Sequence, residues 1–309
     1  MYPEKDSPSK FLPLAMFWLL GIIWGSNFIY MKLASGLISP LQIVLLRVLF
    51  GFIPVALYAY YKETLKWSHI KHIGHFLVMS LIATIAYYYG FVKGSSLLLS
   101  GVAGALSGLT PILSFLVAIM FLEEEKASCQ KLFGIGIGFL GVLLIARPFS
   151  HDIAATNIEG ALFNVFGSLS VGASFVYAKK YVLPLNLPFS ALITYQLGLS
   201  LLILFLFTDM EGIGNVWSNA YVATGLAVGL GILGTGLAYL IYYYIIEKLG
   251  AVSASSVTYI PPVVAIAIGV IIVGEKINAW EYFGIALIFV GLVLINKKLP
   301  ISKSATHGE

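Results

Sequence analysis

Long apolar runs, broken by short polar stretches, divide the chain into ten spans near residues 11–35, 40–61, 73–92, 98–122, 131–147, 160–181, 189–208, 221–246, 251–274 and 280–297. Most approach the ~20 residues with which an α-helix crosses a hydrocarbon core. The connectors are too short to hold a folded extramembrane domain. The pattern therefore predicts one all-α integral membrane unit of about ten transmembrane helices.

The pattern also repeats. Residues 125–145 recur without gaps at 275–295: Glu125, Lys126, Phe133, Gly134, Gly141 and Leu144 match Glu275, Lys276, Phe283, Gly284, Gly291 and Leu294. Pro111 and Pro261 hold the same register. A shorter match relates the first and sixth spans, where Gly25, Phe28, Tyr30 and Lys32 parallel Gly172, Phe175, Tyr177 and Lys179. Five spans per half is an odd number, so the halves insert with opposite orientation about a pseudo-two-fold axis in the membrane plane. The predicted organisation is an N-terminal tail over 1–10, a first half over 11–147, a connector over 148–159, a second half over 160–297 and a C-terminal tail over 298–309.

Charge sets the orientation. With the N-terminus inside, 13 lysines fall in cytoplasmic segments, while only Lys32, Lys93, Arg147 and Lys276 fall outside. The positive-inside rule then places both termini in the cytoplasm. Residues 1–10 are too short and too mixed in charge for a signal-peptide n-region, so 11–35 is read as a retained first span.

Composition agrees with lipid as the solvent. The chain is 59% hydrophobic and 10% charged, against about 25% charged in soluble domains. The net charge of +4 comes from scattered lysines that form no basic face, so nucleic acid is not an expected partner. The single cysteine, Cys129, excludes an intrachain disulfide and a cysteine-based metal cage. His69, His72 and His75 are spaced three apart beside one carboxylate, Glu63. A juxtamembrane basic segment facing anionic lipid accounts for them without a metal. No metal and no cofactor is expected.

Several residues stand out against the apolar background. Gly136-Ile-Gly138-Phe-Leu-Gly141 has the GxGxxG spacing of a dinucleotide loop, but it sits in mid-span with no preceding strand. Positions 134, 138 and 141 instead form a small-residue face for close helix approach. Arg47 falls about a third of the way into the second span, where an unpaired cation is costly. Two readings stay open: it snorkels to the outer surface, or it points into the cavity or fixes the bundle through carbonyls and Asn27, a structural role being favoured over a direct one toward a substrate carboxylate. Pro111 and Pro261-Pro262 interrupt helices and free carbonyls that neighbours or water must satisfy. Such turns serve either packing or a polar cavity. Every carboxylate falls in a loop or near a span end, which disfavours a buried carboxylate proton relay.

Trp24-Gly25-Ser26-Asn27-Phe28, Arg47 in the second span, a proline in the fourth and ninth, and Glu-Lys before a glycine-rich fifth and tenth together resemble the EamA family of the drug/metabolite transporter superfamily. The resemblance covers residues 11–297. It implies two inverted five-helix halves around a central cavity, and movement of small metabolites, commonly amino acids and usually outward. One departure is Leu122-Glu-Glu-Glu125, where the family has the Gly-Glu seen at Gly274-Glu275.

The expected function is secondary transport by alternating access, exporting amino acids or related amphipathic solutes across the inner membrane. A small-molecule substrate and membrane lipid are the expected partners. Import of a nucleoside-like metabolite is the alternative within transport. A lipid-modifying enzyme is the alternative outside it, but the acids and histidines form no cluster for general acid–base or metal chemistry. Expected polar contacts to substrate are Asn27, Ser107, Thr110, Ser256 and Tyr259, with Trp24, Tyr88, Tyr177, Tyr239 and Tyr243 as aromatic walls.

Overall fold

A computed structural model describes residues 11–123, 128–146, 157–249, 254 and 256–296. Both tails, most of the connector, and Glu124 to Lys126 lie outside the described residues.

Every regular element among the described residues is helical. In the first half these are α1 (Phe11–Ala34), α2 (Pro40–Tyr61), α3 (Trp67–Leu97), α4 (Ser100–Phe121) and α5 (Cys129–Ala146). In the second half they are α6 (Ile158–Leu185), α7 (Phe189–Phe207), α8 (Ala220–Leu249), α9 (Val257–Val273) and α10 (Ala279–Asn296). Seven are long and apolar enough to cross a membrane unaided; α5, α9 and α10 carry shorter apolar stretches. Large apolar side chains such as Trp18, Ile22, Leu202, Phe205 and Ile271 are exposed on the outer surface of the bundle, as a lipid-facing belt requires.

The halves pack as two-fold mates. Helices α2 and α7, α4 and α9, and α5 and α10 pair with their own counterparts. Each remaining principal contact recurs with the halves exchanged: α1·α8 with α6·α3, α1·α9 with α6·α4, and α2·α8 with α7·α3. The α5·α10 crossing shows the direction of the chains. A side chain on Gly141 would strike the Gly284 carbonyl, and one on Gly291 would strike the Gly134 carbonyl and the Gly138 backbone. Residue number rises along one helix as it falls along the other, so α5 and α10 are antiparallel and the halves are inverted. The weaker repeat is also structural: Gly25 abuts Val264 and the Pro261 carbonyl, while Gly172 abuts Ser114 and the Thr110 carbonyl.

Helix ends follow local chemistry. Ser39-Pro40-Leu41-Gln42 forms a capping box, with the Gln42 amide accepting from Ser39 N at 2.9 Å and proline in the first turn. The other end of that amide donates to the Asp209 and Glu211 carbonyls, at 2.8 and 2.7 Å, tying the start of α2 to the loop after α7. Glu275 explains half of the repeated Glu-Lys motif. Its carboxylate accepts from Ser100 N, Ser100 Oγ and Gly101 N at 2.8, 2.7 and 2.9 Å, supplying charge-assisted acceptors to the N-terminus of α4.

Candidate functional site

Both repeated prolines sit just past a tightened turn. In α4 the chain narrows to a 3₁₀ turn over Ser107–Leu109 and resumes as α-helix with Pro111 in its first turn. In α9 a 3₁₀ turn over Ser256–Tyr259 precedes Pro261 and Pro262. Proline lacks the donor that a continuous helix would use and is tolerated at such a restart. Because α4 and α9 are mates, the two interruptions face each other across the axis.

A small void lies there. Helix α1 lines it with Trp24, Asn27, Phe28 and Met31, and α3 with Tyr87 and Phe91. The α4 turn supplies Ser107 and Thr110, and its α9 mate supplies Thr258 and Pro261; Arg47 and Val171 complete the lining. Its volume is ≈ 20 Å³, room for about one water where each needs roughly 10–15 Å³. In this conformation the central cavity is nearly filled.

Arg47 is the one formal charge on that lining. Only 1% of its surface is exposed, so it does not snorkel. Nε donates to Thr235 Oγ1 at 2.9 Å and Nη2 to the Gly234 carbonyl at 3.0 Å. With its amide turned so that both ends are satisfied, Asn27 donates to the Ile23 carbonyl at 3.1 Å and accepts from Arg47 Nη2 at 3.0 Å. Tyr88 lies beneath the guanidinium, 3.6 Å from ring centre to Cζ, a cation–π contact that strengthens when water is excluded. Among the described residues Nη1 meets only the Met31 sulfur, at 3.8 Å. Both acceptors on α8 lie in the π-helical turns over Gly225–Leu237, a widening frequent at functional sites.

Behind Arg47 stands a second polar layer. Tyr243 donates to Gln196 Oε1 at 2.8 Å, Gln196 Nε2 donates to Thr84 Oγ1 at 2.9 Å, and Thr84 bonds the Tyr239 hydroxyl at 3.1 Å. Tyr239 also donates to the Ala83 carbonyl, within the π-helical segment Ser80–Ile85 of α3.

The structure thus brings Trp24, Asn27, Ser107, Thr110 and Pro261 together at the void, with Arg47 on its wall. Tyr88, Tyr239 and Tyr243 are buried beside it as support for Arg47 and Gln196 rather than as lining. Pro111 and Pro262 are buried at the helix restarts, and Tyr259 is half-buried on the turn before Pro261. Tyr177 lies elsewhere, hydrogen-bonded to His75 Nδ1 at 2.8 Å and packed on Tyr181. His69 instead packs edge-on against Tyr195. The side chain of Ser256 lies outside the described residues. Sequence reasoning passed over Met31, Tyr87, Thr235, Thr258 and Gln196. Of these, Gln196 alone carried a clear signal, as a lone amide within an apolar span.

Ten helical segments among the described residues, in two inverted halves around a small shared void, make this a polytopic membrane protein. The profile of the EamA-like transporter family matches residues 12–147 and 158–297, one copy per half. The chain belongs to that family. An uncharacterized transporter of Archaeoglobus fulgidus is 26% identical over 281 residues, covering 89% of this chain and 95% of its own. The uncharacterized transporter YoaV of Bacillus subtilis is 24% identical, covering 88% and 92%. The uncharacterized inner membrane transporter YedA of Escherichia coli is 23% identical, covering 93% and 91%. A solved crystal structure shares the fold with a TM-score of 0.62 over 93% of this chain and 97% of that one, at 19% identity.

Proposed function

We propose that this protein exports small amphipathic solutes, amino acids and related compounds, across the inner membrane by alternating access, with both termini in the cytoplasm. The observation that carries the reading is the void on the pseudo-two-fold axis. It gathers Asn27, Arg47, Ser107, Thr110 and Thr258 within an apolar bundle, and mated segments of α4 and α9 line it from both halves. At ≈ 20 Å³ it holds no metabolite, so passage requires the halves to part on one side at a time. Inverted repeats give such a motion a natural symmetry, because each half can adopt the other's arrangement. The transporter names of the relatives support the same class of activity.

On this reading Asn27, Ser107 and Thr110 contact the solute and Trp24 walls it in, while Pro111 and Pro261 mark the flexing turns. Lipid surrounds the exposed apolar belt. The test loads proteoliposomes with a mixed metabolite pool and follows release by mass spectrometry. Protein-dependent efflux of a subset of amphipathic solutes is expected. Release indistinguishable from empty liposomes for every component would overturn the proposal.

A further inference from the structure

We infer that the transported solute is recognised by its carboxylate, held by Arg47 Nη1 and by the indole Nε1 of Trp24. This deepens the transport reading above and rests on it.

The argument begins from an excess of donors. Arg47 Nε and Nη2 are engaged by Thr235, Gly234 and Asn27. Nη1 brings further N–H groups to the void wall, yet its partner is a thioether sulfur at 3.8 Å, a weak acceptor. Trp24 is only 6% exposed and its Nε1 has no hydrogen-bond partner among the described residues, although a buried indole N–H usually finds one. Both side chains line the same void. Among the described residues no carboxylate lines that void or bonds to Arg47. The site presents one formal positive charge and two under-used donors. The complement is an anion with several lone pairs, one oxygen of which can take a charge-assisted hydrogen bond from Nη1 while another meets the indole. Met31 is the group displaced, and a flexible thioether yields readily.

The same lining sets what it does not require. A substrate ammonium group would meet the neutral hydroxyls of Ser107, Thr110 and Thr258, the carbonyl of Asn27 and the faces of Trp24 and Tyr87, but no counter-charge on the lining, and it would approach a like charge on Arg47. Phe28, Phe91 and Val171 offer an apolar wall for the rest of the solute. The class selected is therefore a monocarboxylate with an apolar or aromatic body, whether or not it carries an α-amino group. A matching amine without the carboxylate is rejected.

Isothermal titration of the purified full-length protein, against detergent blanks, with 3-phenylpropionate, phenylalanine and phenethylamine tests this. Both carboxylates are expected to bind at least tenfold more tightly than the amine. Arg47→Gln should abolish that preference. Because Arg47 also braces the bundle, Trp24→Phe is the second variant: it keeps an aromatic ring of smaller size, removes the donor, and should weaken both carboxylates severalfold in protein that elutes and melts like the parent. Equal binding of amine and acid, or unchanged carboxylate affinity in Trp24→Phe, would overturn the inference. Failure of either carboxylate to bind while liposome efflux proceeds would overturn it and leave transport standing. Absence of all efflux would overturn the transport reading and this inference with it.

Discussion

Arg47 shows how a membrane interior keeps a charge that hydrocarbon would expel. Insertion scales put a central arginine at about 2.5–3.5 kcal/mol, and this fold answers with Thr235, the Gly234 carbonyl, Asn27 and the face of Tyr88. Thr235 also donates to the Leu230 carbonyl at 2.8 Å, so it links the guanidinium to the widened turns of α8. Thr235→Val keeps the shape and removes both bonds. We expect a loss of about 1–3 kcal/mol, the range for an orphaned buried polar group, seen as a melting temperature lowered by several degrees at fixed scan rate in detergent. An unchanged melting temperature would mean that Thr235 does not support Arg47. At this scale the sequence was half legible. Arg47 and Asn27 were visible as polar residues in apolar spans, and the alternative of pairing with Asn27 was open. Thr235 was not visible, because a threonine in a glycine-rich run advertises no partner. The tyrosines were misleading for a related reason: Tyr177, Tyr239 and Tyr243 turn their hydroxyls to His75, Thr84 and Gln196, partners far away in the chain.

Helix pairing rests on glycine where the halves cross. Gly141 and Gly291 are mates, and each leaves space that a backbone carbonyl of the other half fills. Gly136, on the same helix as Gly141, meets open space. Gly141→Leu and Gly291→Leu should therefore destabilise by similar amounts, at or above the roughly 1–3 kcal/mol typical of overpacking, while Gly136→Leu should be near neutral. Melting temperature and yield of monodisperse protein measure this. A Gly136→Leu variant as damaged as the other two would refute the crossing described above. The glycine face was readable in advance because repeat register and small-residue spacing are properties of sequence. The restarts at Pro111 and Pro261 were readable for the same reason. The Glu275 clasp on α4 was not, since its partners lie about 175 residues away in the chain.

Inversion of the halves makes a prediction about sidedness for the whole molecule. Cys129 is exposed at the start of α5, and its mate at the start of α10 is Ala279, also exposed. A membrane-impermeant thiol reagent should label Cys129 from one face. In a Cys129→Ser background, Ala279→Cys should label from the other. From the lysine distribution, labelling of Cys129 is expected from the cytoplasmic face. Labelling of both positions from a single face would contradict inverted repeats. Number of helices, their grouping and their inversion were legible because apolar length and a 150-residue register survive without tertiary information. The near-closure of the void was not, because it belongs to one conformation and not to the composition. The glycine dyad of α5 and α10 carries a last consequence. Two-fold mates that bury the same patch against each other are what a homodimer has, so this polypeptide is in effect a dimer whose subunits happen to share a peptide bond. Severing the chain between residues 146 and 157 and co-expressing the two fragments should yield a complex that copurifies, whereas either fragment alone, deprived of its counterpart's faces, should be cleared by the cell.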